Sequence, residues 1–325
     1  MISERRTPAQ GPGAQKLRAL LGTGGALPAP GSGRTAQRWH RLLAWGRADL
    51  PMARLAEGHT DAMAILQDAG AAAVPGALYG VWAARSGGTG AELVGSTLRG
   101  TVRFCSGAHG LDRALVVAAA ADGSRVVDLD LRAPGVRPVD GTWQSPGMRA
   151  SDTVDVELTD IAVPATDVVG EPGWYTERPG FWWGGGGVAA VWLGGALGVL
   201  DALTAQLSSR ADPFQLAHLG ALHASVEATR ALLDATATLI DADPGRAHRT
   251  AVWTLRTAAE RSCRDVLDLA PRVAGVAALT RSSLGQQLAD LGLYIRQHHG
   301  ERDLAALGEA VLDAGRGSAG AGDIR

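Results

Sequence analysis

The sequence predicts an α+β protein: a short N-terminal helical region, a central antiparallel β-domain, and a C-terminal antiparallel helical bundle. Two observations carry this. Apolar residues recur at three-and-four spacing before residue 70 and again after residue 179. Between them lie short β-branched or alternating runs punctuated by glycine and proline. Helices, then strands, then helices is an α+β order. At 325 residues, 46% hydrophobic and 20% charged, the chain is long enough and apolar enough for two or three domains or subdomains around a sizeable core.

Taken in order, residues 1–34 include GTGGALPAPGSGR and read as a flexible leader with room for one helical turn at Gln15 to Leu21. Residues 35–75 form the N-terminal helical region. Asp49, Leu50 and Pro51 mark a helix start, and Met52, Leu55, His59, Ala62 and Leu66 share its apolar face to an end near Gly70. Residues 76–168 form the β-domain, with strands at Thr101 to Cys105, Arg113 to Ala119, Ser124 to Leu131 and Thr153 to Thr159. Val127, Leu129 and Leu131 alternate with polar neighbours, as do Val154, Val156 and Leu158, which gives each strand one wet face.

Residues 169–325 form the bundle. One seam runs Leu219, Leu222, Val226, Leu233, Ile240 and stops at the Asp243-Pro244-Gly245 turn. The next runs Val252, Leu255, Ala259, Cys263, Val266, Ala270 and stops at Pro271; a third helix covers Leu284 to Gln297. The uncharged stretch FWWGGGGVAAVWLGGALGVL, residues 181–200, is expected as a helix buried on all faces, starting between Trp183 and Val188. Its glycines admit either a flat ligand or a neighbouring backbone.

Several function classes are excluded. The net charge of −2 offers no basic field for nucleic acid. Lys16 is the only lysine, and the arginine excess favours anion recognition. Cys105 and Cys263, without CxxC spacing, point to a reducing cytoplasm and no metal site. The N-terminus has no hydrophobic signal core. Residues 181–200 are long enough to span a bilayer but lack a flanking Lys/Arg cluster, so no membrane partner is expected. Gly185, Gly187 and Ala190 fit GxGxxG/A formally, without the preceding strand or the following acidic residue a dinucleotide loop needs.

Chemistry concentrates in GTVRFCSGAHGLDRALVVAAA, residues 100–120. A strand enters the small turn Cys105-Ser106-Gly107-Ala108, where a backbone can approach a ligand and the Ser106 hydroxyl can donate. This segment resembles the NGxKxFxSGA stretch of the acyl-CoA dehydrogenase superfamily. The block GMRASDTVDVELTDIAVPATDVVG, residues 147–170, resembles that family's GMRxSxxxxVxFxDVxVPxxxVxG. ARLAEGHTDAMAILQDAG, residues 53–70, is similar to the last helix of its N-terminal domain, LYGVWAA to its flavin-contacting strand, and RADPF to its RxxxFG motif. The resemblance covers residues 40–310.

The resemblance implies a flavoprotein that binds FAD, or FMN if it is a monooxygenase. Its cofactor set would be Trp82, Phe104, Ser106, Arg210 and Phe214, the last two reaching across a dimer interface. It implies a homodimer or homotetramer acting on a small molecule such as an acyl-CoA by α,β-dehydrogenation, with an electron-transfer or flavin reductase partner. Departures are equally clear. The N-terminal domain is short by several tens of residues, and the flavin-bonding threonine is replaced by Ala83 or Ala84. The GGxGY stretch becomes Val273-Ala-Gly275-Val-Ala. Aligning the family aspartate with Asp290 puts His298 where many members carry a catalytic glutamate.

Histidine can act as a base near neutral pH. It is also what monooxygenases of the dibenzothiophene type carry there, which makes Ser106 and His298 the candidate catalytic pair. A degenerate, non-catalytic relative is the third reading. Trp182, Trp183, Gly185 and Gly187 are the candidate substrate pocket; core filling is the alternative for the tryptophans. His298 and His299 also suit a helix end electrostatically. His59 reads as a hydrogen-bonded core histidine, and Cys105 as a buried filler.

Overall fold

A computed structural model describes residues 12–22, 26–207 and 211–319. Three helices come first: α1 (Pro12–Gly22), α2 (Thr35–Ala48) and α3 (Leu50–Asp68). Eight strands follow: β1 (Tyr79–Trp82), β2 (Ala91–Val94), β3 (Thr97–Cys105), β4 (Arg113–Ala120), β5 (Gly123–Asp130), β6 (Val136–Val139), β7 (Val154–Ala162) and β8 (Val168–Val169). The rest is helical: α4 (Trp174–Glu177), α5 (Pro179–Gln206), α6 (Pro213–Ala242), α7 (Arg249–Arg281), α8 (Leu284–Tyr294) and α9 (Glu301–Ala319). These elements form two compact units, one of Met1–Ala29 with Pro51–Phe181, the other of Pro30–Leu50 with Trp182–Arg325. The helical stretch 35–75 is thereby divided: α2 belongs with the bundle and α3, apart from Leu50, with the sheet.

In the first unit the eight strands make one sheet in the order β6-β7-β3-β2-β4-β5-β8, with β1 also paired to β4. The sheet is mixed rather than wholly antiparallel, since β1 and β2 each run parallel to β4. Alternation of apolar residues reports which face is buried and carries no information on strand direction. The chain between β1 and β4 holds the β2–β3 hairpin, long enough for the crossover that a parallel pair requires. One face buries Leu98, Val102, Val116, Val127, Val156 and Leu158. The other packs Tyr79, Leu115 and Val126 against Ala62, Ile65 and Leu66 of α3. Tyr79 N–H donates to His59 Nδ1 at 3.1 Å, which fastens β1 to α3.

Part of the expected flexible leader is ordered helix. α1 buries Leu17 completely, and its Arg18 donates to Gly76 O at 2.6 Å and Asp112 Oδ2 at 3.0 Å. Sequence reading underweighted it because the glycines and prolines around it dominate the composition.

The second unit is built on α5, which begins at Pro179, ahead of the expected start. Neither the four-glycine run 184–187 nor the pair 194–195 breaks it, because tertiary packing outweighs the low helix propensity of glycine. α5 meets the length and composition of a membrane span, yet 61% of its most apolar window is buried within the protein. Its small residues form a stripe, Gly186, Ala190, Gly194 and Gly198, four apart and so on one face. α2 lies in that stripe. A Cβ at Gly186 would collide with the Trp39 ring, one at Gly194 with the Leu43 carbonyl, and one at Gly198 would sit 2.6 Å from Arg47 O. Gly46 of α2 answers from the other side, against the Val191 carbonyl.

Polar contacts pin α2 at both ends. Asp241 of α6 accepts from Thr35 N at 2.8 Å, Thr35 Oγ1 at 2.6 Å and Gly33 N at 3.0 Å, which satisfies amides at the α2 N-terminus. Arg47 forks onto Asp201 of α5 at 2.5 and 2.6 Å. The α6 seam buries Leu222, Val226, Leu233 and Ile240, and the α7 seam Val252, Leu255, Ala259, Cys263, Val266 and Ala270. Pro271 does not end α7. The helix continues to Gly275, whose φ of 69° and ψ of 171° make the break. Proline removes one hydrogen bond and kinks the helix, but the left-handed glycine changes the chain direction.

Replacing Gly194 by Ala should cost about 1–3 kcal/mol, because its Cβ meets a backbone carbonyl that cannot rotate away. Gly220→Ala on α6, with nothing within 4 Å, should instead gain up to about 1 kcal/mol. Urea unfolding of both variants checks this, and equal stability of Gly194→Ala and the parent would refute the packing.

Candidate active site

The end of β3 is irregular, and that irregularity shapes the turn that carries Ser106. The β3–β7 register shifts between Val102 and Cys105, and Phe104 takes a φ of +60° in the bulge. Bulges re-aim side chains. Here Phe104 turns outward and is 52% exposed, while its N–H is held by Asp155 Oδ1 at 3.3 Å. The following turn is tied down by the GMRASDT block. Gly107 N–H donates to Ser151 O at 2.9 Å and Ala108 N–H to Asp152 O at 3.1 Å. The Asp152 carboxylate accepts from His109 N–H at 2.8 Å and Gly110 N–H at 3.1 Å. The two motif blocks quoted from the sequence thus form one structure.

A chain of buried hydroxyls ends at Ser106. Ser151 Oγ and Thr153 Oγ1 lie 2.7 Å apart, and Thr153 Oγ1 donates to Ser106 Oγ at 3.0 Å. Ser106 is 8% exposed, and its own O–H proton has no acceptor among the described residues. Its carbonyl accepts from Trp82 Nε1 at 3.2 Å. Trp82 is therefore not an open stacking surface. It is 3% exposed, inside the sheet core, with its N–H spent on the turn. Trp82 therefore offers no face to a flavin, and Ser106, in a turn whose residues 105–108 are all buried, is the polar group there that could meet one.

The other candidate catalytic residue, His298, belongs to the second unit. His298 leaves a 3-10 turn, Ile295–Gln297, with φ −81° and ψ 121°. It is 7% exposed. Gly300 N–H donates to its Nδ1 at 3.2 Å, and Thr257 Oγ1 lies 3.3 Å from its Nε2. A ring nitrogen that accepts carries no proton, so the imidazole proton sits on Nε2. Burial lowers the His298 pKa below its ordinary value; Asp303 and Glu260 oppose this, and Arg256 and His299 add to it. That direction favours the neutral ring. His299 is exposed and paired with Asp303 at 3.3 Å.

Arg256 supports this turn, donating to Gly185 O at 2.8 Å and to Gln297 O at 3.1 Å. The expected pocket residues are otherwise occupied. Gly187 faces Leu42 of α2, Gly185 lies under the Arg256 and Val252 side chains, and the Trp183 ring covers Gly31. Trp182 packs edge-on to Trp253, with centroids 4.9 Å apart, under Arg249. Gly186 and Gly187 admit Trp39 and Leu42 of α2, so helix-to-helix approach fills the space a ligand was expected to use. Phe214, in the first turn of α6, is 78% exposed. Arg210 lies outside the described residues. Among the described residues no group of three or more His, Cys, Asp or Glu is placed to hold a metal ion.

No family model matches the chain, and no curated protein matches it by sequence. Solved structures do. The fold is that of the acyl-CoA dehydrogenase-like proteins. The dibenzothiophene monooxygenase TdsC from Paenibacillus sp. A11-2, in a complex with FMN and indole, superposes with a TM-score of 0.73 at 18% identity, covering 93% of this chain and 95% of that one. The methanesulfinate monooxygenase MsuC from Pseudomonas fluorescens gives 0.74 at 17%, covering 94% and 91%. A glutaryl-CoA dehydrogenase from Mycobacterium smegmatis, in complex with FADH2, gives 0.74 at 16%, covering 92% and 93%.

Sequence reasoning passed over the Arg54–Glu57 pair on α3, whose neighbour Leu55 lies beside Gly107 of the turn. Arg54 Nη1 donates to Glu57 Oε2 at 2.6 Å. Glu57 shares the buried side of the helix with Ala53, Ala56, Thr60 and Ala64, a burial that only the folded structure reveals. Burial pushes the Glu57 carboxyl up to about 8, against Arg54 and with help from Asp61. Its folded pKa lies above its unfolded one, so its contribution to stability is lost as pH rises from about 4.5 to about 8. His59 goes the other way: burial, then Arg18, lowers it to about 4, and stability is lost as pH falls from about 6.5 to about 4. Unfolding free energies measured across this range should show both losses. Glu57→Gln should flatten only the first and His59→Asn only the second; unchanged slopes would refute the assignments.

Proposed function

We propose that the protein is a flavin-dependent oxidoreductase, with FAD as the first candidate cofactor and FMN as the alternative if a separate reductase delivers reduced flavin. A bound flavin would supply the two-electron redox step. Ser106 would donate its unused O–H proton to the ring edge, and the exposed rings of Phe104 and Phe214 offer flat apolar faces. Arg210 is proposed for the diphosphate on its motif, where a planar fork of donors suits two phosphates. The observation that carries the reading is the setting of His298: buried, with the Gly300 N–H on Nδ1, which leaves the imidazole proton to Nε2 beside Thr257 Oγ1.

That state favours oxygen-dependent chemistry on a small molecule, in which His298 and Ser106 both serve as donors. The likeness to two monooxygenases supports it. The second reading is α,β-dehydrogenation of an acyl thioester such as an acyl-CoA, with an electron-transfer partner, supported by the likeness to glutaryl-CoA dehydrogenase. It asks His298 to accept a proton, and Nδ1 becomes vacant only when the Gly300 contact opens. We propose a homodimer or homotetramer working in the cytoplasm. Phe214 and Val276, 78% and 77% exposed, flank the Gln215–Val273 hydrogen bond and give the second unit an apolar corner for a second copy.

The purified protein should take up FAD or FMN and show a flavin spectrum; a colourless protein that rejects both overturns the proposal. Reduced flavin consumed by O₂ with product formation supports the first chemistry, whereas anaerobic bleaching by an acyl-CoA supports the second. His298→Ala should lower kcat about 10²- to 10⁴-fold with flavin retained.

A further inference from the structure

Arg256 and Thr257 are consecutive on α7, and both reach the segment that carries His298. The Arg256 guanidinium lies over the Trp192 ring, 4.8 Å from its centroid. Its two terminal nitrogens bond carbonyls of separate segments, Gly185 O on α5 at 2.8 Å and Gln297 O at 3.1 Å. Gln297 O belongs to the end of a 3-10 turn, where carbonyls lack helical partners and arginine is a suitable cap. Because the fork is planar and rigid, the two bonds together fix the distance between those carbonyls. Immediately after Gln297 the chain extends through His298 and reverses at Gly300, whose φ is +57°. The reversal places the Gly300 N–H on His298 Nδ1.

We propose that Arg256 is the positioning residue of His298: by clamping Gln297 O to α5 it holds the 297–300 turn in the geometry in which the Gly300 amide fixes the Nε2–H tautomer, with Thr257 Oγ1 beside that proton. The clamp rests on His298 being the working histidine of the proposed reaction, although the tautomer it fixes is independent of flavin. It also assigns a chemical use to the glycine-rich start of α5, since Gly185 supplies the clamp's fixed end. The clamp uses the Gly185 carbonyl and not its missing side chain, since an added Cβ would make only ordinary contact with the arginine stem at 3.5 Å.

Ring-nitrogen NMR of protein labelled with ¹⁵N-histidine tests this at neutral pH. His298→Gln identifies the signal among the eight histidines. The parent should show widely separated protonated and unprotonated ring nitrogens, with the proton on Nε2. In Arg256→Met the two signals should move together as tautomers mix, and Arg256→Lys, which reaches one carbonyl at a time, should fall between. kcat should fall in the same order while KM and flavin content hold. A parent spectrum with the proton on Nδ1 overturns the proposal, and so does an Arg256→Met spectrum matching the parent. If Arg256→Met fails to fold, the parent tautomer and Arg256→Lys decide. A tautomer that follows Arg256 in a protein that binds no flavin would sink the proposed function and leave the clamp standing. Intact turnover with a tautomer indifferent to Arg256 would do the reverse.

Discussion

The approach of two helix backbones organises the second unit. α2 can lie in the α5 stripe only because Gly186, Gly194 and Gly198 have no Cβ, and because Gly46 answers in kind. Once α2 is seated, the longer side chains at its margins are fixed in place. Asp241 closes its N-terminus and Arg47 meets Asp201. Trp39 and Leu42 fill the volume that the glycine run opened. α5 is then held rigidly enough for one of its carbonyls, Gly185 O, to serve as an anchor for Arg256 and, through it, for the turn that carries His298. A run of glycines that looked like a ligand cradle is the means by which the helix scaffold is closed.

The first unit reaches a comparable result with different material. A bulge in β3 turns Phe104 outward, and the GMRASDT block folds onto the turn that follows. Ser106 ends a line of buried hydroxyls with its own proton unspent. Each unit thus carries one candidate residue fixed by its own surroundings: the Ser106 hydroxyl in the first and the His298 imidazole in the second. Neither depends on a charged side chain at the point of donation. A neutral donor in a buried place avoids the desolvation cost that an ion would carry there.

Much of this was legible in the chain. The element order, the helix from Leu50 to Asp68, and the seams of α6 and α7 follow from apolar spacing, because burial on one face is all that periodicity needs to record. The two blocks around Ser106 and Thr153 stood out as motifs, and His298 as a departure from one. What escaped were the features that depend on who sits opposite. Trp82 was read as a ligand contact, and its N–H proved committed to Ser106 O. Pro271 was read as a stop, and Gly275 made the break. Glu57 went unnoticed because a carboxylate among alanines looks solvent-facing until the other wall is known.

By itself, then, the sequence determined the fold class, the bounds of α3, the apolar seams of α6 and α7, and the small residues at which close approach was possible. Tertiary structure alone decided what made that approach. Glycine marks where a side chain is missing and cannot say whether a cofactor, a neighbouring helix or an arginine occupies the space. The same holds for the protonation of His298. Its residue type permits either tautomer, and the choice belongs to the Gly300 amide, brought to Nδ1 by a turn whose geometry is set from α5 and α7.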